Sequence, residues 1–247
     1  MGQLGTDEYL GSYWRDGLGL ASAAEAAGLK APVRTCPGWS VADLVWHTGE
    51  VHWFWAAVVE GRWSEPSAYE EPDRPADDVL LTWYRGSVDR TLAILREVDP
   101  ATPVWSWAPR GGTAGWVIRR MAQETAVHRW DAEDAAGSGW TIDPALAADG
   151  VDEFLDDFTG AVASDAVPLD GTVHLHCTDV DGEWLIAQPD ATGPLEVSRE
   201  HAKGDVAVRG PASDLLLLLW RRRGLDGLEV FGDRSVADRF LLRQNLE

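Results

Sequence analysis

The sequence predicts a chain in two parts, α followed by α+β: a four-helix bundle over residues 1–139 and a small α+β domain over residues 140–247. Three observations lead there. Apolar residues recur at helical spacing through the first half. After Gly137-Ser138-Gly139 the pattern changes to short runs of period-two alternation divided by turn residues. A chain of 247 residues also exceeds the ~100–150 residues that one core usually organises.

The first helix is expected around residues 7–27, where Tyr9/Leu10, Tyr13/Trp14, Leu18 and Ala21 share one face. Pro32 and Cys36-Pro37-Gly38 then form a loop. Ser40 followed by Asp43 has the form of a capping box. The helix it opens should run to Glu60 and end at Gly61. A Pro-rich acidic loop over residues 65–75 leads to a third helix near residues 77–98, with Leu80, Tyr84, Val88, Leu92 and Leu95 aligned. A second loop, residues 99–112, reaches Thr113, the cap of a fourth helix ending near Ala136. Four amphipathic helices joined by loops indicate a bundle.

The second half opens with a helix over residues 144–158. Val173-His174-Leu175-His176-Cys177 alternates as a strand, and Asp181-Gly182 turns the chain into Trp184-Leu185-Ile186. Short strands follow at residues 195–198 and 206–209. A helix from Pro211 through Trp220, a strand at residues 228–231 and a helix over residues 235–246 complete an α+β domain.

Composition narrows the partners. With 21 Lys+Arg against 41 Asp+Glu the formal charge is −20, so no basic stripe exists to bind a nucleic-acid backbone or an anionic membrane. The longest apolar run, residues 215–220, is far below the ~20 residues of a spanning helix. The first residues carry neither a basic segment nor an apolar core for export, which predicts a cytoplasmic protein. Two cysteines are too few for a disulfide framework. The 14 tryptophans read as packing residues.

Chemistry concentrates on two helices. Leu44, His47, Val51, Phe54 and Val58 place His47 on an inward stripe. Val117, Met121, Glu124, His128, Asp131 and Ala135 do the same on the fourth helix, with Glu124 and His128 one turn apart. An unpaired carboxylate beside imidazoles in a core is costly, and a divalent cation removes that cost. Two His and one carboxylate also match a catalytic zinc set with an open fourth position. On spacing alone, a core histidine and a helix-supporting Glu–His pair explain the same residues.

Other candidates carry less. Cys36 sits in a loop without an identified base and reads as structural. His174 and His176 share one strand face and could chelate. With no acidic or thiol partner at fixed spacing, they read as a solvated or edge-strand pair. His52 falls five residues after His47, off the inward face. Asp43 is the capping-box acid. Asp131 either orients a ligand histidine or pairs with an arginine.

Thr35-Cys36-Pro37-Gly38-Trp39-Ser40-Val41-Ala42-Asp43-Leu44-Val45-Trp46-His47 resembles the N-terminal signature of the mycothiol-dependent maleylpyruvate isomerase family. Glu124-Thr125-Ala126-Val127-His128-Arg129-Trp130-Asp131-Ala132 is similar to its second signature, and residues 204–215, 219–222 and 230–233 are similar to its C-terminal domain. The resemblance implies a DinB-like bundle and a sterol-carrier-like α+β domain. It also implies a divalent metal, normally zinc, on His47, Glu124 and His128, and an arginine from the C-terminal domain, best matched by Arg222 within Arg221-Arg222-Arg223.

The expected activity is that of a metal-dependent, mycothiol-using isomerase or S-transferase. A metal-held thiolate can add to an activated double bond, permit rotation and depart, or remain as the transferred group. Its partners would be a small-molecule thiol and an electrophilic, anionic substrate recognised by Arg222. Two other classes fit the same sequence: a carrier of lipids or small ligands, and a metal-binding regulatory or stress protein without turnover.

Overall fold

The computed structural model describes residues 4–67, 69–108, 111–160 and 166–244. They divide into two units, Leu4–Ile142 and Asp143–Glu247. The first is a bundle of α1 (Thr6–Ala27), α2 (Val41–Gly61), α3 (Asp77–Glu97) and α4 (Ala114–Ala135). Much of the predicted stripes is buried, with Tyr13, Ala21, Leu44, Leu80, Tyr84 and Met121 fully so, whereas Trp14, expected on the α1 stripe, is exposed and Leu20, outside it, is buried. α1 packs most extensively on α4, and α2 on α3. The segment expected to be a plain loop before α4 contains a small antiparallel ribbon, β1 (Pro103–Val104) against β2 (Gly112–Thr113).

The capping chemistry read from the sequence is present. Ser40 Oγ accepts from the Asp43 amide at 3.3 Å, and the Ser40 amide donates to Asp43 Oδ2 at 2.8 Å. Arg74 donates to Asp43 Oδ1 at 2.6 Å, tying the acidic loop to the start of α2. The Ser40 hydroxyl and amide, then Arg74, hold the Asp43 carboxyl down at about 2. Thr113 Oγ1 likewise accepts from the Trp116 amide and caps α4. Ser40→Ala removes one half of the box and should cost about 1 kcal/mol of unfolding free energy, read by urea denaturation at neutral pH. An unchanged midpoint would show that Arg74 and the loop alone hold the end of α2.

The second unit begins with α5 (Pro144–Glu153), capped by Asp143, with Pro144 where its missing N–H does no harm. The expected single helix over residues 144–158 instead widens into a π-helical turn, Phe154–Phe158. Phe154 and Phe158 both meet the Trp220 ring there, at centroid distances of 5.1 and 4.7 Å. The sheet has the order β5 (Glu196–Ser198), β4 (Glu183–Ala187), β3 (Thr172–Cys177), β6 (Val206–Gly210), β7 (Glu229–Gly232). β3 and β6 are parallel, and the other neighbours are antiparallel. Val173, Leu175 and Cys177 of β3 are buried, and α6 (Ala212–Leu219) and α7 (Arg234–Arg243) pack on the sheet. The expected helix end at Leu246 lies outside the described residues. Among the described residues no helix is long and apolar enough to cross a membrane.

Candidate metal centre

Two helices and one loop build a cluster in the bundle. The loop before α2 is closed by hydrogen bonds from the Val33 amide to the Trp39 carbonyl (2.9 Å) and from the Trp39 amide to the Cys36 carbonyl (3.0 Å). Gly38 takes a φ of +86° at its tip, a conformation a side chain would strain. This loop sets the Trp39 ring 4.9 Å from the ring of His47, one and a half turns into α2. Glu124 and His128 project from adjacent turns of α4.

The three predicted residues come together. Glu124 Oε1 lies 3.0 Å from His128 Nε2 and 3.4 Å from His47 Nε2. The two imidazole rings meet edge to face at 5.2 Å. The other carboxylate oxygen, Oε2, accepts from Arg120 at 2.9 Å, so Oε1 is the atom turned toward both histidines. His128 Nδ1 is hydrogen-bonded to Asp131 Oδ2 at 2.9 Å, and Asp131 Oδ1 accepts from Thr35 Oγ1 at 2.6 Å. Cys36 Sγ lies 3.9 Å from Asp131 Oδ2, in keeping with its structural reading. Of the two roles considered for Asp131, the contact with His128 is the one these distances support.

Charge in the cluster is unevenly divided. Burial opposes ionisation of Glu124, but the His128 charge, the hydrogen bonds from both histidines and Arg120 outweigh it and hold the carboxyl well below its usual range. Burial likewise disfavours imidazolium at His128, yet Glu124 and Asp131 together push its pKa up to about 9. Without a metal, His128 is therefore imidazolium paired with the Glu124 and Asp131 carboxylates, and a divalent cation binding at Nε2 would take the place of that proton.

The donors suit a divalent metal. His47 Nε2, Glu124 Oε1 and His128 Nε2 all lie within 4.8 Å of one another, and a tetrahedral ion with ligands at about 2.0–2.1 Å needs donor atoms roughly 3.3 Å apart. The second nitrogen of His128 and the second oxygen of Glu124 are engaged by Asp131 and Arg120, which orients those two donors. His47 is only half-buried and also borders an open pocket of about 430 Å³ lined by Trp39, Asp43, Trp46, Glu50 and Arg74. The His47 side of the cluster is open to a ligand through that pocket.

Two expectations are corrected. His52 was expected off the inward face, yet it is fully buried. α2 is enclosed by α3 as well as by α1 and α4, so it buries more than one stripe. His52 Nε2 pairs with Thr125 Oγ1 at 2.9 Å, and its ring packs against Tyr13 and Tyr84. His174 and His176 are on the central strand rather than an edge, and they have an acidic partner, Glu183, which stands opposite His176 across the β3–β4 hairpin. The Asp181-Gly182 turn was the signal that could have found it. His201, which joins them from the loop after β5, leaves no periodic trace in the sequence.

Within the arginine run, Arg221 donates to the carbonyls of Leu241 and Gln244, and Arg223 pairs with Asp214. Arg222 donates Nη1 to the Trp220 carbonyl at 3.0 Å, in the turn after α6.

Residues 10–133 match the family model described as the mycothiol maleylpyruvate isomerase N-terminal domain, and residues 145–239 match that of the MDMPI C-terminal domain. No curated protein matches the chain. Among solved structures, the crystal structure of the mycothiol-dependent maleylpyruvate isomerase is similar with a TM-score of 0.62 at 16% identity, over 92% of this chain and 93% of that one. A histidine-to-alanine mutant of that enzyme gives the same TM-score and coverage at 15% identity. At these identities the likeness is one of fold.

Proposed function

The chain belongs to the mycothiol maleylpyruvate isomerase family, matched by both of its domain models, and on that footing we propose that it is a mycothiol-using, metal-dependent enzyme, an isomerase or S-transferase. The observation that carries the proposal is the convergence of His47 Nε2, Glu124 Oε1 and His128 Nε2. A divalent metal bound there, zinc by the nature of the donors, would supply an open position that holds a thiol as its thiolate at neutral pH.

The chain's own residues do the rest. Glu124 contributes the one negative charge of the ligand set, and Arg120, by donating to Oε2, leaves Oε1 turned toward the histidines. With a metal on Nε2, Asp131 would accept the remaining His128 proton at Nδ1 and fix the ring's orientation. Trp39 packs against His47 and limits its rotation. Arg222, the arginine that best matches the family's pattern, would recognise the carboxylate of an anionic substrate.

The test is a calorimetric titration of mycothiol into metal-loaded and chelator-stripped protein, with circular dichroism to verify that both are folded. Binding to the loaded form alone is expected. Equal binding to both would separate the thiol from the metal and overturn the mechanism, and no binding to either would favour a carrier or regulatory protein. In the same assay series Arg222→Ala should keep its metal and lose about 2 kcal/mol of transition-state binding, roughly a thirtyfold fall in kcat/KM with anionic substrates. An equal fall with uncharged electrophiles would remove the carboxylate role.

A further inference from the structure

The C-terminal unit carries a second cluster that the thiol chemistry does not use. Alternation along β3 buries Val173 and Leu175 on one face and turns His174 and His176 to the other. The β3–β4 register sets Glu183 directly across from His176, and the loop after β5 brings His201 to the same place. Glu183 Oε2 lies 2.6 Å from His201 Nδ1 and 3.2 Å from His174 Nε2, while its Oε1 lies 2.9 Å from His176 Nδ1. One carboxylate is thus contacted by three imidazole nitrogens, and no donor atom of the four is more than 4.8 Å from another.

We infer that His174, His176, Glu183 and His201 form a second metal site that takes a divalent first-row transition ion. Three imidazoles and a single carboxylate form a nitrogen-rich set that suits zinc and its neighbours, whereas magnesium and calcium take oxygen ligands. The carboxylate–imidazole distances of 2.6–3.2 Å are near the roughly 3.3 Å that a four-coordinate ion asks of neighbouring donors, and all four donors lie within 4.8 Å of one another, so side-chain rotations can complete the shell. The sheet supplies rigidity. His174 is nearly buried on the central strand, and Glu183 is held in the hairpin, so two of the ligands lose little freedom on binding. An open groove of about 600 Å³, lined in part by His174, His201, Lys203, Asp205 and Phe231, flanks the cluster and gives an ion a route in.

The experiment counts zinc. Tag-free, full-length protein is purified without chelators, loaded with excess Zn²⁺, desalted and subjected to elemental analysis, alongside His128→Ala and the double variant His176→Ala/His201→Ala. Two ions per chain are expected in the wild type and one in each variant. A double variant that keeps the wild-type count overturns the second site. The two metal readings fail separately: a wild type with one ion, lost only in the double variant, upholds this site and sinks the bundle site, and the reverse pattern does the opposite. Should the double variant misfold by circular dichroism, His201→Ala alone decides. Its side chain is 80% exposed, so folding does not depend on it, and zinc retention equal to wild type would refute the site.

Discussion

Asp131→Ala is expected to weaken metal binding at the bundle site by roughly 10–100-fold, and Asp131→Asn to recover most of that loss. The carboxylate is fully buried and accepts from both His128 Nδ1 and Thr35 Oγ1. Alanine removes both acceptors, so the imidazole no longer has its tautomer and ring plane imposed, and the buried His128 donor left behind costs about 1–3 kcal/mol. Asparagine keeps a carbonyl oxygen for His128 and nearly the same volume. Affinity is measured by chelator competition on folded protein, with urea unfolding run separately. A purely structural role predicts lower stability with unchanged affinity. That result would sever Asp131 from the metal.

The second large effect is acid sensitivity arising from His52. Burial is the first cause of its depressed pKa, about 3 against the ordinary 6.5, with Glu124 partly opposing and the other two histidines adding to it. The folded protein therefore binds fewer protons at this residue than the unfolded chain does. Its contribution is fully present above pH 6.5 and declines as pH falls toward 3, at a limiting slope of about 1.4 kcal/mol per unit. Between pH 7 and pH 5 the loss from this one residue should be about 2 kcal/mol. His52→Gln keeps a polar partner for Thr125 and cannot titrate, so its stability curve should be flatter over that interval by the same amount. Parallel curves for the two proteins would show that the ring admits a proton without unfolding the bundle.

Much of the bundle was legible because its information is local. Helical spacing placed Leu80, Tyr84, Val88 and Leu92 on the buried side of α3, and the Ser40–Asp43 box marked the start of α2, all as found. The pairing of Glu124 with His128 is likewise a matter of one helical turn. The resemblance to a known family named His47 as their partner across the bundle, a relation that spacing had left open between a metal set and a core histidine.

Other features had no local trace. A period-two strand exposes two histidines to one side, but only the hairpin register brings Glu183 to them, and only a loop without periodicity delivers His201. The helix that widens at Phe154–Phe158 answers to Trp220, a residue more than sixty positions away.

The sequence by itself determined the succession of elements, the change from helical to alternating pattern and the residue types offered for chemistry, because periodicity and capping act between residues a few positions apart. Tertiary structure alone decided that His52 is enclosed, that Asp131 meets His128, that Arg221 and Arg223 are bound to the fold, and that His174 and His176 have an acidic partner. Each of those outcomes depends on which surfaces of separate elements meet, and that is set by packing of the whole core rather than by spacing along the chain.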